Sequence, residues 1–334
     1  MKKLCSLSTN FRKLCFLLVL SIYYLNLSAQ EVWDDKSQGL WPIEAQKTWI
    51  SSSMDHEMQA IYYYKSVGER PQPLIISLHT WSGDYRQRDP LISYCIAHNI
   101  NYIHPDFRGP NNNPKAGGSA YAIQDIDDAI SWALNNLAVD VRDIHVVGVS
   151  GGAFATLLTY MKSKHSIKSF SAFVGIYNLE DWYYESLGRG TPYATHISLL
   201  TTNSTDAINF EEARRRSPYF MKTPIALRKE SCLNFYCGID DGYTGSVPIT
   251  QTLEMYNKVV DDFEVTDEGA FLKQEDIYTL LKRRTLSGFA VIEKAFMGRD
   301  IIYKNSIFPG VTVRVFKGGH EMPEGDFIQE ILKK

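Results

Sequence analysis

The segment Val146-Val147-Gly148-Val149-Ser150-Gly151-Gly152-Ala153 decides how this chain is read. Two valines enter it as an apolar strand, and a helical pattern runs on from Ala153 to Met161. Between them stands G-x-S-x-G. A serine at the apex of so sharp a strand-to-helix turn takes up unfavourable backbone angles and thrusts its hydroxyl clear of the sheet. Glycine at Gly148 and Gly152 keeps side chains out of the turn. The helix that starts there aims its unbonded N–H groups at the same point. Ser150 is therefore the candidate nucleophile. A glycine-rich helix cap with an ordinary serine has the same pattern. What separates the two readings is whether an acid and a base follow.

A serine nucleophile needs a histidine to take its proton and a carboxylate to orient that histidine. After an elbow of this kind the chain order is serine, acid, histidine. Near the C-terminus Val311-Thr312-Val313-Arg314-Val315-Phe316 alternates as a strand, then Lys317-Gly318-Gly319-His320-Glu321 forms a glycine-rich loop before a last helix, Asp326 to Leu332. His320 is the candidate base. Earlier, the strand Cys232 to Cys237 runs into Gly238-Ile239-Asp240-Asp241-Gly242, then Val247-Pro248 and a helix from Thr250. The acid is Asp241 or Asp240. Adjacent side chains point in different directions, so only one of them can reach His320.

These residues resemble the catalytic domain of the prolyl-oligopeptidase-type (S9-like) serine hydrolases. The likeness rests on Pro105-Asp106-Phe107-Arg108-Gly109, Asp125, Gly148 to Gly152, Gly238 to Asp241 with Val247-Pro248, and Gly318-Gly319-His320-Glu321, and it spans Ile75 to Leu332. It implies an α/β-hydrolase fold: a doubly wound, mostly parallel sheet with helical lid insertions. It implies a Ser150, Asp241, His320 triad without cofactor or metal. The family's glycine, two residues, acid pattern favours Asp241 over Asp240. The chain departs from the family after the acid, where five residues, Gly242 to Ser246, precede Val247-Pro248 and rebuild the loop. In relatives the end of the strand Pro73 to Leu78 carries a His-Gly-type oxyanion loop. Here His79 is followed by Thr80-Trp81-Ser82-Gly83. The oxyanion needs two N–H donors. One expected donor is Gly151; the other is Thr80 or Trp81. Trp81 would also wall the pocket. Arg108 could pair a substrate carboxylate, or be a buried structural arginine tied to Asp106.

The rest of the chain alternates strand and helix, which calls for a mostly parallel sheet. A leading hairpin is expected over Thr48 to Lys65, with strands at Leu74–Leu78, Asn101–His104, His145–Val149 and Phe170–Tyr177. A helix is expected over Ala120–Leu137, where Ile123, Ile126, Ile130 and Leu134 share one face. Residues 179–230 and 261–308 exceed a minimal fold and are expected to cover or border the site. The first carries Tyr183 and Tyr184, candidate substrate contacts. His56, His98, His145, His165 and His196 lie outside any such loop and read as surface or packing residues. His104, at the end of its strand near the active-site edge, reads as a packing residue, with a role in supporting the site as the alternative.

The N-terminus reads as an export signal: Lys2, Lys3, Arg12 and Lys13, an apolar run Leu14 to Leu27, and small residues before Gln30. Cleavage is expected after Ala29. That leaves 30–334 as a single catalytic domain, periplasmic or secreted, with no integral membrane segment. Cys95, Cys232 and Cys237 remain, enough for at most one internal disulfide. Cys232 and Cys237 face opposite sides of a strand and should not pair with each other. With 35 basic and 38 acidic residues interspersed, the charge of −3 points to neither nucleic acid nor an anionic surface. The oligomeric state stays open.

The substrate is expected to be a small molecule, a carbohydrate ester or a short peptide. Prolyl oligopeptidases carry a β-propeller, and the roughly 40 residues between leader and core are too few for its blades. That favours an esterase on carbohydrate-linked or other small esters, with twenty tyrosines available to meet sugar rings. A serine-type peptidase is the alternative, and a catalytically inactive binding module the competing class.

Overall fold

A computed structural model of the chain describes residues 41–286 and 296–322, together with positions 329 and 332. Its first elements are β1 (Gln46–Ser51) and β2 (Met58–Tyr64), the expected hairpin, followed by β3 (Gln72–Leu78), α1 (Leu91–Ala97) and β4 (Asn101–Pro105). Then come α2 (Ala120–Asn136), β5 (Val139–Val149), α3 (Gly151–Lys162) and β6 (Ser169–Phe173). Residues 179–230 are helical: α4 (Leu179–Arg189), α5 (Tyr193–Thr202), α6 (Phe210–Arg216) and α7 (Ile225–Arg228). The chain returns to the sheet through β7 (Cys232–Gly238), then α8 (Ile249–Asp262), α9 (Gln274–Arg283), β8 (Ile301–Asn305) and β9 (Val311–Phe316).

The strands form one sheet in the order β1-β2-β4-β3-β5-β6-β7-β9-β8. From β4 to β9 every pairing is parallel; the antiparallel pairings lie at the two edges. A parallel strand buried on both faces reads as a continuous apolar run, as Val146 to Val149 does. One face is covered by α2, α3, α8 and α9, which bury Ile126, Leu157, Leu253 and Leu280 among Ile76, Val146, Phe235 and Val313. On the other face α1 buries Leu91, Ile92 and Cys95 against Ile75, Tyr102 and Val147. The helix α2 starts where it does because the Ser119 hydroxyl accepts the Ala122 N–H at 3.1 Å. The insertion 179–230 brings its own small core, in which Trp182, Ile197, Leu200 and Ala213 close over Trp81 and Phe154.

Two elements differ from the sequence expectation. The strand expected over Phe170–Tyr177 stops at Phe173, because Val174 takes φ +48° and turns the chain out of the sheet. The residues beyond are still buried, so their apolar run marks burial rather than a strand. Within 261–308 the chain adds β8, an antiparallel edge strand on β9. In it Ile301, Tyr303 and Asn305 are buried and Ile302 and Lys304 partly exposed, but two adjacent isoleucines and a buried asparagine give no alternation of residue type. The expected leader 1–29 and most of the last helix lie outside the described residues. Cys95, Cys232 and Cys237 are all free thiols. Among the described residues no helix is long and apolar enough to cross a membrane.

Candidate active site

In a parallel sheet the loops after the strands gather at one edge. Here β3 delivers His79 to Trp81, β5 delivers Ser150, β7 delivers Asp241 and β9 delivers His320. Ser150 stands at φ 57°, ψ −118°, a conformation that costs a non-glycine residue about 1–3 kcal/mol. The surroundings hold it there. The Ser150 N–H donates to Phe173 O at 2.9 Å, and the Ser150 carbonyl accepts the Phe154 N–H at 3.1 Å, the first bond of α3. The motif glycines are steric necessities. A Cβ on Gly148 would lie 2.1 Å from the Gly152 carbonyl group, and one on Gly152 would lie 2.1 Å from Leu78 O.

The acid and base loops interlock. The Ile239 N–H donates to Phe316 O at 2.8 Å and the Asp240 N–H to Gly318 O at 2.9 Å. At their contact the His320 Nδ1 lies 2.8 Å from Asp241 Oδ2. A carboxylate can only accept, so Nδ1 carries a proton, and in the neutral imidazole Nε2 is then the nitrogen with the free lone pair. The other oxygen, Asp241 Oδ1, accepts the Gly242 N–H at 2.9 Å and the Val247 N–H at 3.1 Å. The rebuilt loop thus returns to grip the acid. Asp241 has a side chain 1% exposed, whereas Asp240 is 43% exposed and faces Arg284 at 3.8 Å. The structure brings Asp241, not Asp240, to His320. The helix α4 braces the same loop from outside: the Trp182 indole N–H donates to Ser246 O at 3.0 Å, and the Arg189 guanidinium to Gly245 O.

Of the two amides offered for the oxyanion, Thr80 is excluded because its N–H already donates to Gln87 Oε1 at 2.9 Å. Trp81 is the one beside the elbow: a Cβ on Gly151 would lie 2.2 Å from Trp81 N. Gly151 therefore cannot be another residue while Trp81 stays in place. The two N–H groups, Gly151 and Trp81, stand together next to Ser150. The Trp81 indole is buried, edge-on to Trp182 at 4.8 Å, so it packs under the insertion.

Other candidates fall away from the site. Arg108 is no substrate contact. It donates to Asp125 at 2.5 and 3.2 Å, to Asp55 at 2.8 and 2.9 Å, to Glu57 at 2.6 Å and to Ser52 at 2.9 Å. With its side chain 1% exposed it has no donor left to offer. It is the structural arginine, but tied to Asp125 and the hairpin tip rather than to Asp106. Tyr183 and Tyr184 pack around Phe210, with Tyr184 stacked on it at 5.6 Å. No described contact brings them to Ser150 or His320. His145 sits between Ser169 and Asp143, and His165 beside Ser131. Burial pushes the His104 imidazole down to about 4, so it stays neutral inside the sheet face. Among the described residues no group of three or more His, Cys, Asp or Glu could hold a metal ion.

Two residues that orient the site carry no sequence signal of their own: Trp182 acts through an indole that reads as core, and Gln87 through an amide in a polar loop. Val247 was part of the motif, but its role is played by its backbone N–H.

No family model matches the chain, and no curated protein matches it. Solved structures do match. An acylaminoacyl peptidase from Pyrococcus horikoshii superposes with a TM-score of 0.53 at 18% identity, over 68% of this chain and 36% of that one. An acylaminoacyl peptidase bound to Z-Gly-Gly-Phe-chloromethyl ketone gives 0.52 at 19% identity, over 66% and 35%. Prolyl oligopeptidase B from Galerina marginata gives 0.51 at 12% identity, over 66% and 31%. The chain thus matches about a third of the length of these proteins. The fold is that of an α/β-hydrolase, of the form found in the catalytic domains of these S9 peptidases.

Proposed function

We propose that this protein is a serine hydrolase working through an acyl-enzyme. Ser150 attacks the substrate carbonyl while His320 Nε2 takes its proton. Asp241 holds the imidazole in the tautomer that makes this possible, and the N–H groups of Gly151 and Trp81 stabilise the oxyanion. His320 then returns the proton to the leaving group, and water releases the acyl group by the same steps. The observation that carries this reading is the Asp241–His320 contact at 2.8 Å, on the same sheet edge as a serine at φ 57°.

For the substrate we put peptide amides first. The solved structures described above are of peptidases, which weighs more than the preference for esters drawn from the sequence. Esters use the same steps and demand less help for the leaving group. We further propose export, on the basic and apolar N-terminal pattern with cleavage after Ala29.

The test is a fluorophosphonate probe followed by a substrate panel. The probe should label wild type and not Ser150→Ala, whose kcat should fall by about 10⁶-fold with the fold intact. Purified protein is then given N-acyl amino-acid and Xaa-Pro aryl amides beside acetylated sugars, methyl uronates and aryl esters. Turnover of esters alone would return the substrate reading to an esterase. Failure of the wild type to label would leave a binding module.

A further inference from the structure

The loop that carries the second oxyanion donor is pinned one peptide plane at a time. A peptide unit is planar and trans, so its C=O and N–H point opposite ways, and fixing one aims the other. The plane joining His79 to Thr80 is fixed by the Thr80 N–H, which donates to Gln87 Oε1 at 2.9 Å; the Thr80 hydroxyl donates to the same oxygen at 3.1 Å. The next plane, Thr80 to Trp81, is fixed by its carbonyl. Thr80 O accepts the Gly83 N–H at 3.1 Å and lies 3.0 Å from His79 Nδ1, which must donate to it. The third plane is held by Trp81 O, which accepts the Asn111 N–H at 2.8 Å. None of these bonds uses the Trp81 N–H, whose nitrogen lies beside Gly151.

Of the pins, Gln87 is the one supplied by a side chain from the far end of the loop. It reaches Thr80 only because Gly83 has no side chain: a Cβ there would lie 2.2 Å from Gln87 Oε1. With an N–H and a hydroxyl both aimed at it, that atom is the amide oxygen and not its nitrogen. It also removes Thr80 as a rival donor, which leaves Trp81 as the remaining one of the two amides considered.

We propose that Gln87 is a positioning residue for the reaction, acting through Thr80 to aim the Trp81 N–H at the oxyanion; this rests on the Ser150 triad reading above. Without the Gln87 acceptor, the Thr80 N–H is left to find another, and the His79–Thr80 plane can rotate; the Thr80–Trp81 plane, then held by Thr80 O alone, loses the fixed plane before it and can tilt. An oxyanion donor acts on the transition state and hardly on bound substrate. The signature is therefore a fall in kcat at constant KM.

The test is Gln87→Leu, which keeps the side-chain bulk and removes the acceptor. On the best substrate of the panel kcat should fall about 10- to 100-fold, short of the loss of a whole donor, with KM within twofold. Affinity for a boronic acid inhibitor, which mimics the tetrahedral intermediate, should fall in parallel. Circular dichroism reports whether the variant folds. If it does not, Gly83→Ala displaces the same amide without deleting it and should give the same kcat-only loss. A folded Gln87→Leu or Gly83→Ala with wild-type kcat, or with its loss in KM alone, overturns the inference and leaves the triad standing. A wild type that no fluorophosphonate labels overturns the triad, and this inference with it.

Discussion

Asp241→Asn is the sharpest perturbation the structure offers, because the surroundings dictate which way the new amide must face. Asp241 Oδ1 accepts two backbone N–H groups, from Gly242 at 2.9 Å and Val247 at 3.1 Å. An NH₂ in that position would confront two donors with a third. The amide oxygen must therefore take the Oδ1 place, and the NH₂ the Oδ2 place, 2.8 Å from His320 Nδ1. A donor there forces Nδ1 to accept and moves the imidazole proton to Nε2. The histidine then has no lone pair for the serine proton. The same swap in a Ser-His-Asp triad costs about 10⁴-fold in kcat, or about 5 kcal/mol of transition-state stabilisation. The fold should survive, since both backbone bonds are kept. Asp240→Asn alters a side chain that is 43% exposed and 3.8 Å from Arg284, and should change kcat by less than about twofold. Both variants are assayed on one substrate, with thermal midpoints taken alongside. An Asp241→Asn enzyme within tenfold of wild type, or an Asp240→Asn enzyme damaged more than it, would refute the assignment and the reading of the 242–246 loop.

Gly151→Ala places a methyl 2.2 Å from Trp81 N and 2.4 Å from Trp81 Cα, so the oxyanion loop must move; kcat should fall by about 10²-fold or more, and retention of half the activity would count against the Trp81 donor. Arg108→Leu leaves Asp125, whose side chain is fully buried, without its cation and should cost about 3–5 kcal/mol in urea unfolding. A rise in KM confined to anionic substrates, with stability unchanged, would instead restore Arg108 as a substrate contact. Burial, with the carboxylates of Asp181 and Glu254, pushes Glu185 up to about 7 from 4.5. The folded chain thus holds this proton more tightly than the unfolded one, so its contribution to stability is full below pH 4.5 and is lost as pH rises to about 7. Allowing for its partial exposure, Glu185→Gln should remove a decline of about 2 kcal/mol between pH 4 and pH 8, read from urea midpoints; parallel wild-type and variant curves would refute this.

The elbow was legible in the sequence because its requirements are local. Gly148, Ser150 and Gly152 answer to clashes within the turn and with the adjoining strand β3, and the flanking strand and helix announce themselves by apolar runs over a few residues. The order of Ser150, the Gly238–Asp241 loop and His320 follows from strand endings, and each strand has its own pattern. The hairpin and the parallel centre of the sheet were readable for the same reason. By contrast, Ile301 to Asn305 alternates in burial but not in residue type, and the run after Phe173 was apolar without being a strand.

What the sequence alone determined was thus the kind of site and the edge of the sheet on which it is built. The tertiary structure decided which atoms serve there. Asp241 is separated from Asp240 by the return of Val247 to its carboxylate, Trp81 from Thr80 by the reach of Gln87, and Arg108 from the substrate by Asp55, Glu57 and Asp125. In each case the deciding fact is whether a donor or acceptor is already occupied. A hydrogen-bonding group has few partners to give, and the residues that claim them come from loops and strands brought together only when the chain folds.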